Sequence, residues 1–410
     1  MNRSRIPAAT AWRVFAAVVA LVAVGCTSPA SQPAAQPPGE RTANVTITTL
    51  PSHLWVVPEG VYADMASTPP DGHANTQNLT WLMHLVIKSK ESVPLTIDAV
   101  DVRFARAGQT VWEEQYPRSY LQRLEWIKGD FDMTPEYYLT KVMHGTEQPG
   151  TPEVPPNGSV SWVRIPFARP WFARADSLEF RFHFTDPQKQ ASSFTHTIPI
   201  GEYQQKTKLR LPFSGVWVVD AGNDLSTGHR RSGLNGLTSY GWDFVKLGPD
   251  GLPFRTNGKK PEDFYTYGAP VLAAAGGTVV DVRNDMPAYA VGEAPAADMI
   301  RKDGDIFTGN LVTIDHGNGE YTLLCHMLAG SIRVKVGDRV KAGQLVGRVG
   351  NSGFASIPHI HLNLMTGPKW LQAKGLPALF SDFEHIVTGG APQKIALGNP
   401  ITGWFIRPVS

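Results

Sequence analysis

The stretch Pro358-His359-Ile360-His361-Leu362-Asn363-Leu364 alternates polar and apolar residues from His359 onward. A period of two predicts a β-strand, on which residues two apart point to the same face. The imidazoles of His359 and His361 are therefore expected on one face, with Ile360 on the other. Two histidines on one rigid element suit a metal centre, where one is a ligand and the other lies beside an open coordination position. The same pattern also fits two polar residues on a solvated strand face.

Two residues upstream could complete such a centre. Asp243 is the one acid in the aromatic segment Tyr240-Gly241-Trp242-Asp243-Phe244-Val245, which reads as a strand. A carboxylate buried in such a strand needs a cationic partner, either a metal ion or an arginine. His229, in the segment Thr227-Gly228-His229-Arg230-Arg231, is the candidate third ligand. Taken alone it resembles an ordinary histidine of a surface loop.

A further histidine, His326, ends the predicted strand Tyr321-Thr322-Leu323-Leu324-Cys325-His326. Strand alternation places Leu324 on the face of His326 and Cys325 on the opposite face. Cys325 is therefore expected to be a packed thiol with neither a metal-binding nor a nucleophilic role.

Composition narrows the class of protein. The chain has 410 residues, 18% of them charged, and a formal net charge of +2. This balance argues against a nucleic-acid-binding protein, which would carry a strong basic excess. The chain also contains 39 glycines and 33 prolines among short alternating segments. We therefore expect a mostly β protein with many turns.

The N-terminus is typical of an export signal. Arg3, Arg5 and Arg13 precede or open the apolar run Val14–Val24, which is too short for a stable membrane span. Ala23-Val24-Gly25-Cys26 resembles a bacterial lipobox, which implies lipidation of Cys26; the alternative is an ordinary secretory signal. Cys325 is the only other cysteine, so no internal disulfide is expected.

Pattern changes along the chain suggest its domains. Residues 1–25 are the predicted signal peptide, and residues 26–43 form a Pro/Ala-rich tether. Residues 44–205 contain several short alternating strands, which predict an antiparallel, Ig-like β-sandwich. Residues 206–410 form a second β-sheet domain that carries the candidate metal ligands.

Residues 229–365 resemble the lysostaphin-type zinc peptidases, which cut peptide bonds in bacterial cell walls. The matching parts occur in the family order, namely His229 with Asp243, Leu324-Cys325-His326, Val336-Gly337-Asp338-Arg339-Val340-Lys341-Ala342-Gly343-Gln344, and Pro358-His359-Ile360-His361. The resemblance implies a lysostaphin-type β-sheet peptidase domain with Zn²⁺ held by His229, Asp243 and His361. It also implies that His326 and His359 are catalytic histidines that do not bind the metal.

The sequence departs from the family pattern in three places. Many members have their first histidine four residues before the aspartate, where this chain has Ser239, although others use a longer loop. Leu324 replaces a tyrosine two residues before the catalytic histidine. Residues 283–308 are an insertion, which we expect to form a loop beside the substrate groove.

The resemblance implies a zinc metalloendopeptidase that hydrolyses peptide bonds in peptidoglycan cross-links or stem peptides. Such an enzyme would be exported to the cell envelope and held at the membrane by lipid on Cys26. The alternative is a catalytically inactive relative that binds the wall or regulates another hydrolase. Which of His326 and His359 is the base, and the oligomeric state, stay open at this point.

Overall fold

The computed structural model describes most of the chain beyond the expected tether. The described residues are 41–50, 52, 54–55, 79–132, 134–142, 145–169, 175–222, 229, 240–387 and 389–409. The predicted signal peptide, Cys26 and residues 27–40 of the tether lie outside them. Within these ranges, every helix is too short or too polar to cross a bilayer.

The first half of the described chain is a sandwich of two β-sheets. Its strands are β1 Arg41–Thr42, β2 Val45–Leu50, β3 Leu54–Trp55, β4 Leu79–Ser89, β5 Leu95–Arg106, β6 Gln109–Pro117, β7 Trp126–Lys128, β8 Glu153–Val154, β9 Ser159–Arg169, β10 Ser177–Thr185 and β11 Ala191–Gly201. One sheet has the order β1-β11-β10-β5-β6, with β3 and β8 at its sides, and the other has the order β2-β4-β9-β7.

Alternation along the strands explains why the two sheets pack together. On β10 the residues Leu178, Phe180, Phe182 and Phe184 are buried at a period of two. Phe180 meets Trp162 of the opposite sheet edge to face, with ring centroids 6.3 Å apart. Residues of the two sheets therefore share one apolar core.

Two details of the sandwich differ from the expectation. β1 and β3 both pair with β11 in parallel, so the sandwich is not wholly antiparallel. β1 also begins at Arg41, inside the predicted tether, because its two residues extend the edge of the sheet. The Ig-like connectivity stays a prediction.

Short helices lie between β6 and β8. They are α1 Arg118–Leu121, α2 Pro135–Tyr137 and a π-helix at Tyr138–Val142. Tyr138 packs against an apolar cluster of the second domain, and Glu136 lies 3.5 Å from Arg301 of that domain. This segment of the sandwich therefore contacts the C-terminal half.

The second half of the chain is built on one large sheet. Its strands are β12 Trp217–Ala221, β13 Trp242–Val245, β14 Pro270–Leu272, β15 Gly277–Arg283, β16 Asn310–Asp315, β17 Tyr321–Met327, β18 Arg339–Val340, β19 Leu345–Arg348, β20 Ile360–Met365, β21 Gly375–Leu376, β22 Phe380–Ile386, β23 Gln393–Gly398 and β24 Phe405–Pro408. The sheet order is β18-β15-β16-β17-β20-β13-β12-β24-β22-β23, with β21 beside β20, while β14 and β19 form a separate pair.

The segment that joins the domains is docked on this sheet. The carboxylate of Glu320, which is fully buried, accepts hydrogen bonds from the hydroxyl of Tyr203 and the backbone N–H groups of Lys206 and Thr207, at 2.6 to 2.8 Å. Leu209 then forms a β-bridge with Phe380. The chain thus contacts the large sheet from about Tyr203 onward.

The insertion at residues 283–308 is more ordered than the expected loop. It contains α3 Ala297–Lys302 and a 3₁₀ turn at Gly304–Ile306; another 3₁₀ turn lies at Pro261–Asp263. Ile300 and Phe307 pack with Leu323, Cys325 and other residues on one face of the large sheet. Cys325 is therefore a packed thiol, as predicted, and burial raises its pKa well above the ordinary value.

Candidate metal centre

The centre lies on the sheet face that is turned away from the main apolar core. On β13 the side chains of Trp242 and Phe244 are fully buried in that core, so Asp243 between them points to the other face. Ile360 and Leu362 of β20 pack in the same core, which turns His361 to the face of Asp243. The register pairs Asp243 directly with His361, as alternation on two neighbouring strands requires.

Three imidazoles surround the carboxylate of Asp243. Its Oδ1 lies 2.8 Å from Nδ1 of His361 and 3.2 Å from Nε2 of His359. Its Oδ2 lies 3.0 Å from Nε2 of His229. The structure therefore brings together four residues that the sequence assigned to a loop and two strands.

The fifth candidate, His326, joins the same group from β17. Its ring centroid is 4.8 Å from that of His359 and 5.8 Å from that of His361. Leu324 packs in the main core on the opposite face, so the expectation that His326 shares the face of Leu324 is wrong.

A β-bulge explains that difference. The register of β17 against β16 shifts just before Met327, and His326 has a φ of 60°, in the left-handed region. Its backbone N–H donates to the carbonyl of Thr308 at 3.1 Å. The bulge turns His326 to the side of Cys325 and His361. A non-glycine residue held in this conformation is frequent at functional sites.

Each of the four imidazoles uses one ring nitrogen to fix its orientation. That nitrogen donates a hydrogen bond to an oxygen that can only accept, so a neutral ring presents a lone pair at its other nitrogen. The donor–acceptor pairs are His229 Nδ1 with Gly241 O at 3.1 Å, His326 Nδ1 with Ser352 O at 2.9 Å, His359 Nδ1 with Ile357 O at 2.8 Å, and His361 Nε2 with Asn363 Oδ1 at 3.1 Å.

This arrangement fits a divalent metal ion. Lone pairs that face a carboxylate in a buried site need a cation or additional protons among them. His229, Asp243 and His361 each offer one ligand atom, and these atoms lie within 4.8 Å of one another. Two imidazoles and one carboxylate are a ligand set found at catalytic zinc sites. His326, His359 and His361 form a second group that meets the same distance criterion but lacks a carboxylate.

The charges of the group are strongly coupled. Burial opposes ionisation of Asp243, but His229 and His359 outweigh it and hold the pKa of this carboxyl well below its ordinary value. Burial also acts against protonation of His229 and His359, yet the Asp243 carboxylate raises the pKa of both. For His326 burial prevails, with the charge of His359, and its pKa falls well below the ordinary value. Asp243 is thus the ionised carboxylate of the site.

Two residues of the site were not predicted from the sequence. Asn363 accepts the hydrogen bond from His361, and it lies two residues further along the same strand face. That spacing was the available signal. The carbonyl of Gly241 accepts the hydrogen bond from His229, and the lack of a side chain at Gly241 leaves room for His361 and Asn363. A Cβ at this position would lie 2.3 Å from Oδ1 of Asn363 and 2.9 Å from Cε1 of His361. Any larger residue at 241 would therefore displace His361 or Asn363.

Comparison with known proteins agrees with these observations. The sequence profile of Peptidase family M23 matches residues 262–373, a range that contains His326, His359 and His361. Asp243 and His229 lie before the matched range.

Individual relatives match parts of the chain. The glycyl-glycine endopeptidase ALE-1 of Staphylococcus capitis is 28% identical over 153 residues, which are 37% of this chain and 32% of that protein. The peptidoglycan DD-endopeptidase ShyA of Vibrio cholerae is 33% identical over 98 residues, which are 24% of this chain and 18% of that protein. The matches thus span about a third or less of the lengths of these relatives.

One solved structure with sequence similarity to this chain comes from a bacterial peptidase. The catalytic domain of the antimicrobial peptidase lysostaphin from Staphylococcus simulans shares 20% identity, with a TM-score of 0.23. That alignment covers 40% of this chain and 88% of the lysostaphin domain. On the profile match and the sequence relatives, residues 262–373 of this mostly β chain are a domain of Peptidase family M23.

Proposed function

We propose that this protein is a zinc-dependent metalloendopeptidase that hydrolyses peptide bonds in peptidoglycan cross-links or stem peptides. The observation that carries the proposal is the convergence of His229, Asp243 and His361, whose ligand atoms lie within 4.8 Å of one another. The relative ALE-1 is a glycyl-glycine endopeptidase, which supports an endopeptidase, and the relative ShyA is a peptidoglycan DD-endopeptidase, which supports the substrate class. His229, Asp243 and His361 are the proposed ligands of Zn²⁺.

A bound zinc ion would supply Lewis-acid polarisation of the scissile carbonyl and a lowered pKa for the attacking water. His326 and His359 are the proposed catalytic residues. Each has its Nδ1 engaged by a backbone carbonyl, so proton exchange would take place at Nε2. In His359 this nitrogen lies 3.2 Å from Oδ1 of Asp243. One would take the proton of the attacking water, and the other would donate to the carbonyl oxygen or to the leaving amine.

The surroundings of His326 and His359 support a role in proton transfer. Both rings are almost fully buried, so bulk water does not compete for their inner nitrogens. His326 is fixed by Ser352, whose hydroxyl in turn donates to the carbonyl of Met327 at 2.8 Å. A ring held in one orientation loses little freedom when it transfers a proton.

We further propose that the protein acts at the cell envelope. A signal peptide at residues 1–25 would export it, and lipid on Cys26 would anchor it to a membrane. Residues 26–43 would be the tether, residues 44–205 a sandwich that places the enzyme, and residues 206–410 the peptidase domain. Fractionation of cells tests the anchor: a Cys26→Ala protein should leave the membrane fraction, and an unchanged distribution would exclude lipidation.

The alternative is a relative of the peptidases that binds the wall without cleaving it. Such a protein would have no need for a complete ligand set together with two further inward-facing histidines. All five side chains are present here in one group. The enzyme is therefore the function that the site supports best.

Paired variants test the assignment. His361→Ala should lose zinc and activity together, because a ligand is gone. His359→Ala should keep about one zinc per chain by elemental analysis but cleave cross-linked wall peptides at least about 100-fold more slowly. A His359→Ala protein with wild-type turnover would show that this residue has no catalytic role.

A further inference from the structure

Asp220 is a carboxylate beside the centre that the proposed reaction does not use. On β12, Val219 pairs with Phe244 and Ala221 pairs with Asp243, so Asp220 is the extra residue of a β-bulge. Because Asp220 and Ala221 together oppose Asp243, the bulge brings Asp220 next to the site. Partial burial of the carboxylate and then the charge of Asp243 raise the pKa of Asp220, while the charges of His359 and His229 act in the opposite direction.

Asp220 is available to a ligand. Its residue is exposed, whereas Val219 before it is fully buried. Among the described residues, none forms a hydrogen bond or an ion pair with the Asp220 side chain. The groups of described residues that could hold a metal ion do not include it either. An exposed, ionised carboxylate can form an ion pair with a cationic group.

The position of Asp220 is fixed by the C-terminal part of the chain. The N–H of Val219 donates to the carbonyl of Trp404 at 2.9 Å, and the N–H of Gly403 donates back to Val219 at 2.8 Å. The N–H of Gly222 donates to the hydroxyl of Thr402 at 2.9 Å. Hydrogen bonds therefore hold the residues before and after the bulge.

An apolar row lies next to Asp220 on the same face. Val218 pairs with Phe405 of β24, and Phe405 pairs with Ile386 of β22. Trp217 and Ile406, their neighbours along the strands, are buried in the core, so the row faces the opposite side. Phe405 is 37% exposed, and Val218 and Ile386 are half-buried. The row thus offers an apolar strip that leads to a carboxylate.

We propose that Asp220 and the row Val218, Phe405 and Ile386 form a subsite for a substrate residue whose aliphatic side chain ends in a primary amine. The methylene groups would pack on the row, and the ammonium group would pair with Asp220. This inference rests on the proposed peptidase function and specifies which peptides the site selects. Asp220 is a specificity residue, which would contact the substrate away from the scissile bond.

The experiment compares Asp220→Asn with wild type, using full-length zinc-loaded protein. The probes are lysine-containing cross-linked muropeptides, either untreated or acetylated on their free amines, because acetylation removes the charge. Wild type should cleave the untreated peptides about tenfold more efficiently, through a lower KM. Asp220→Asn should lose this preference because its KM for the untreated peptides rises to that for the acetylated peptides, while the zinc content stays unchanged. The charge of Asp220 also raises the pKa of His359, so any change in kcat should be the same for both probes.

A matched control is Glu114→Gln, which removes an exposed negative charge from the sandwich, far along the chain from the site. It should keep the preference of wild type. Equal efficiency of wild type on both probes, or an undiminished preference in Asp220→Asn, would overturn the inference while leaving the peptidase function intact. Calorimetric binding of the same probes separates the two proposals: a binding preference lost in Asp220→Asn, without cleavage by wild type, supports the subsite and contradicts the peptidase.

Discussion

The tautomer of His361 depends on Asn363. Nε2 of His361 donates to Oδ1 of Asn363 at 3.1 Å, and this leaves Nδ1 facing Asp243. Asn363 is fully buried, so no water can replace its oxygen at low cost. A metal ligand without such an outer partner loses both its orientation and part of its basicity.

Replacing Asn363 should therefore weaken zinc binding. We expect Asn363→Ala to raise the zinc dissociation constant by about 10- to 100-fold, as measured by competition with a chelator. Asn363→Asp is the matched control, because it keeps an oxygen acceptor of the same size and should bind zinc nearly as tightly as wild type. An Asn363→Ala protein with unchanged affinity would mean that the pair does not orient His361.

Zinc binding should also release protons. The pKa of the proposed ligand His229 is raised above its ordinary value of 6.5 by Asp243. A zinc ligand must be deprotonated, so the metal competes with protons at and above pH 6.5. Affinity should then fall by about tenfold per pH unit for each proton displaced, as the pH decreases. Calorimetry at pH 7 in buffers of different ionisation enthalpy measures this release; identical heats in all buffers would contradict it.

At the residue scale the sequence was informative where alternation was regular. The segment Tyr240–Val245 places Asp243 opposite Trp242 and Phe244, and the structure has this arrangement. His326 was placed on the wrong face, because no sequence pattern marks the bulge that its positive φ creates. The acceptors Gly241 O and Ile357 O are backbone atoms, whose roles are invisible in residue identities.

Bulges in the strands fix buried polar groups elsewhere in the fold as well. β4 and β9 change register between Met83 and Leu85, and Arg164 on β9 has a φ of 52°. The N–H of Arg164 donates to Nδ1 of His84 at 3.1 Å, and the ring of His84 stacks on Phe131 at a centroid distance of 3.9 Å. Burial and then the charge of Arg164 lower the pKa of His84 to about 3. His84 is therefore neutral in the folded sandwich.

Acid should destabilise the sandwich through His84. The unfolded chain takes up a proton at an ordinary pKa of 6.5, while the folded state does so only at about 3. The contribution of His84 to stability is thus complete above pH 6.5 and decreases by about 1.4 kcal/mol per pH unit below it. His84→Asn keeps an acceptor for Arg164 and should show a shallower loss between pH 6.5 and 4.5. Urea midpoints followed by tryptophan fluorescence measure this, and parallel pH profiles of the two proteins would contradict it.

At the scale of elements, regular strands were predicted and irregular ones were missed. β17 and β20 follow from the alternation of Tyr321–His326 and His359–Leu364, and the structure has both strands. β22 was not predicted, because a left-handed residue, Asp382, interrupts its period of two. β1 and β3 pair in parallel with β11, which lies far along the chain. The residues of two short strands do not indicate which distant strand they will pair with.

The insertion packs in a cluster that also contacts the sandwich, and it contacts the loop before His359. α3 belongs to an apolar cluster on the sheet face of the metal centre, and Tyr138 of the sandwich packs against that cluster. Phe307 of the insertion stacks on Phe354, which lies in the loop before His359, with centroids 4.7 Å apart. Contacts of this kind join segments that are distant in sequence. The insertion was therefore predictable from the sequence, but its packing was not.

The C-terminal strands complete the sheet beside the site. β24, β22 and β23 extend it beyond β12, after the end of the segment that matches the peptidase family. They hold the bulge at Asp220 and supply Phe405 and Ile386 to the proposed subsite. The metal centre therefore lies within the sheet, with the insertion on one side and these strands on the other.

X-ray absorption spectroscopy at the zinc edge tests the ligand assignment most directly. With His229, Asp243 and His361 as ligands, the zinc-loaded wild type should show two imidazoles at about 2.0–2.1 Å together with oxygen donors. His229→Ala should then retain one imidazole or lose the metal. Three imidazoles in wild type, with an unchanged spectrum in His229→Ala, would contradict this account and assign the metal to His326, His359 and His361.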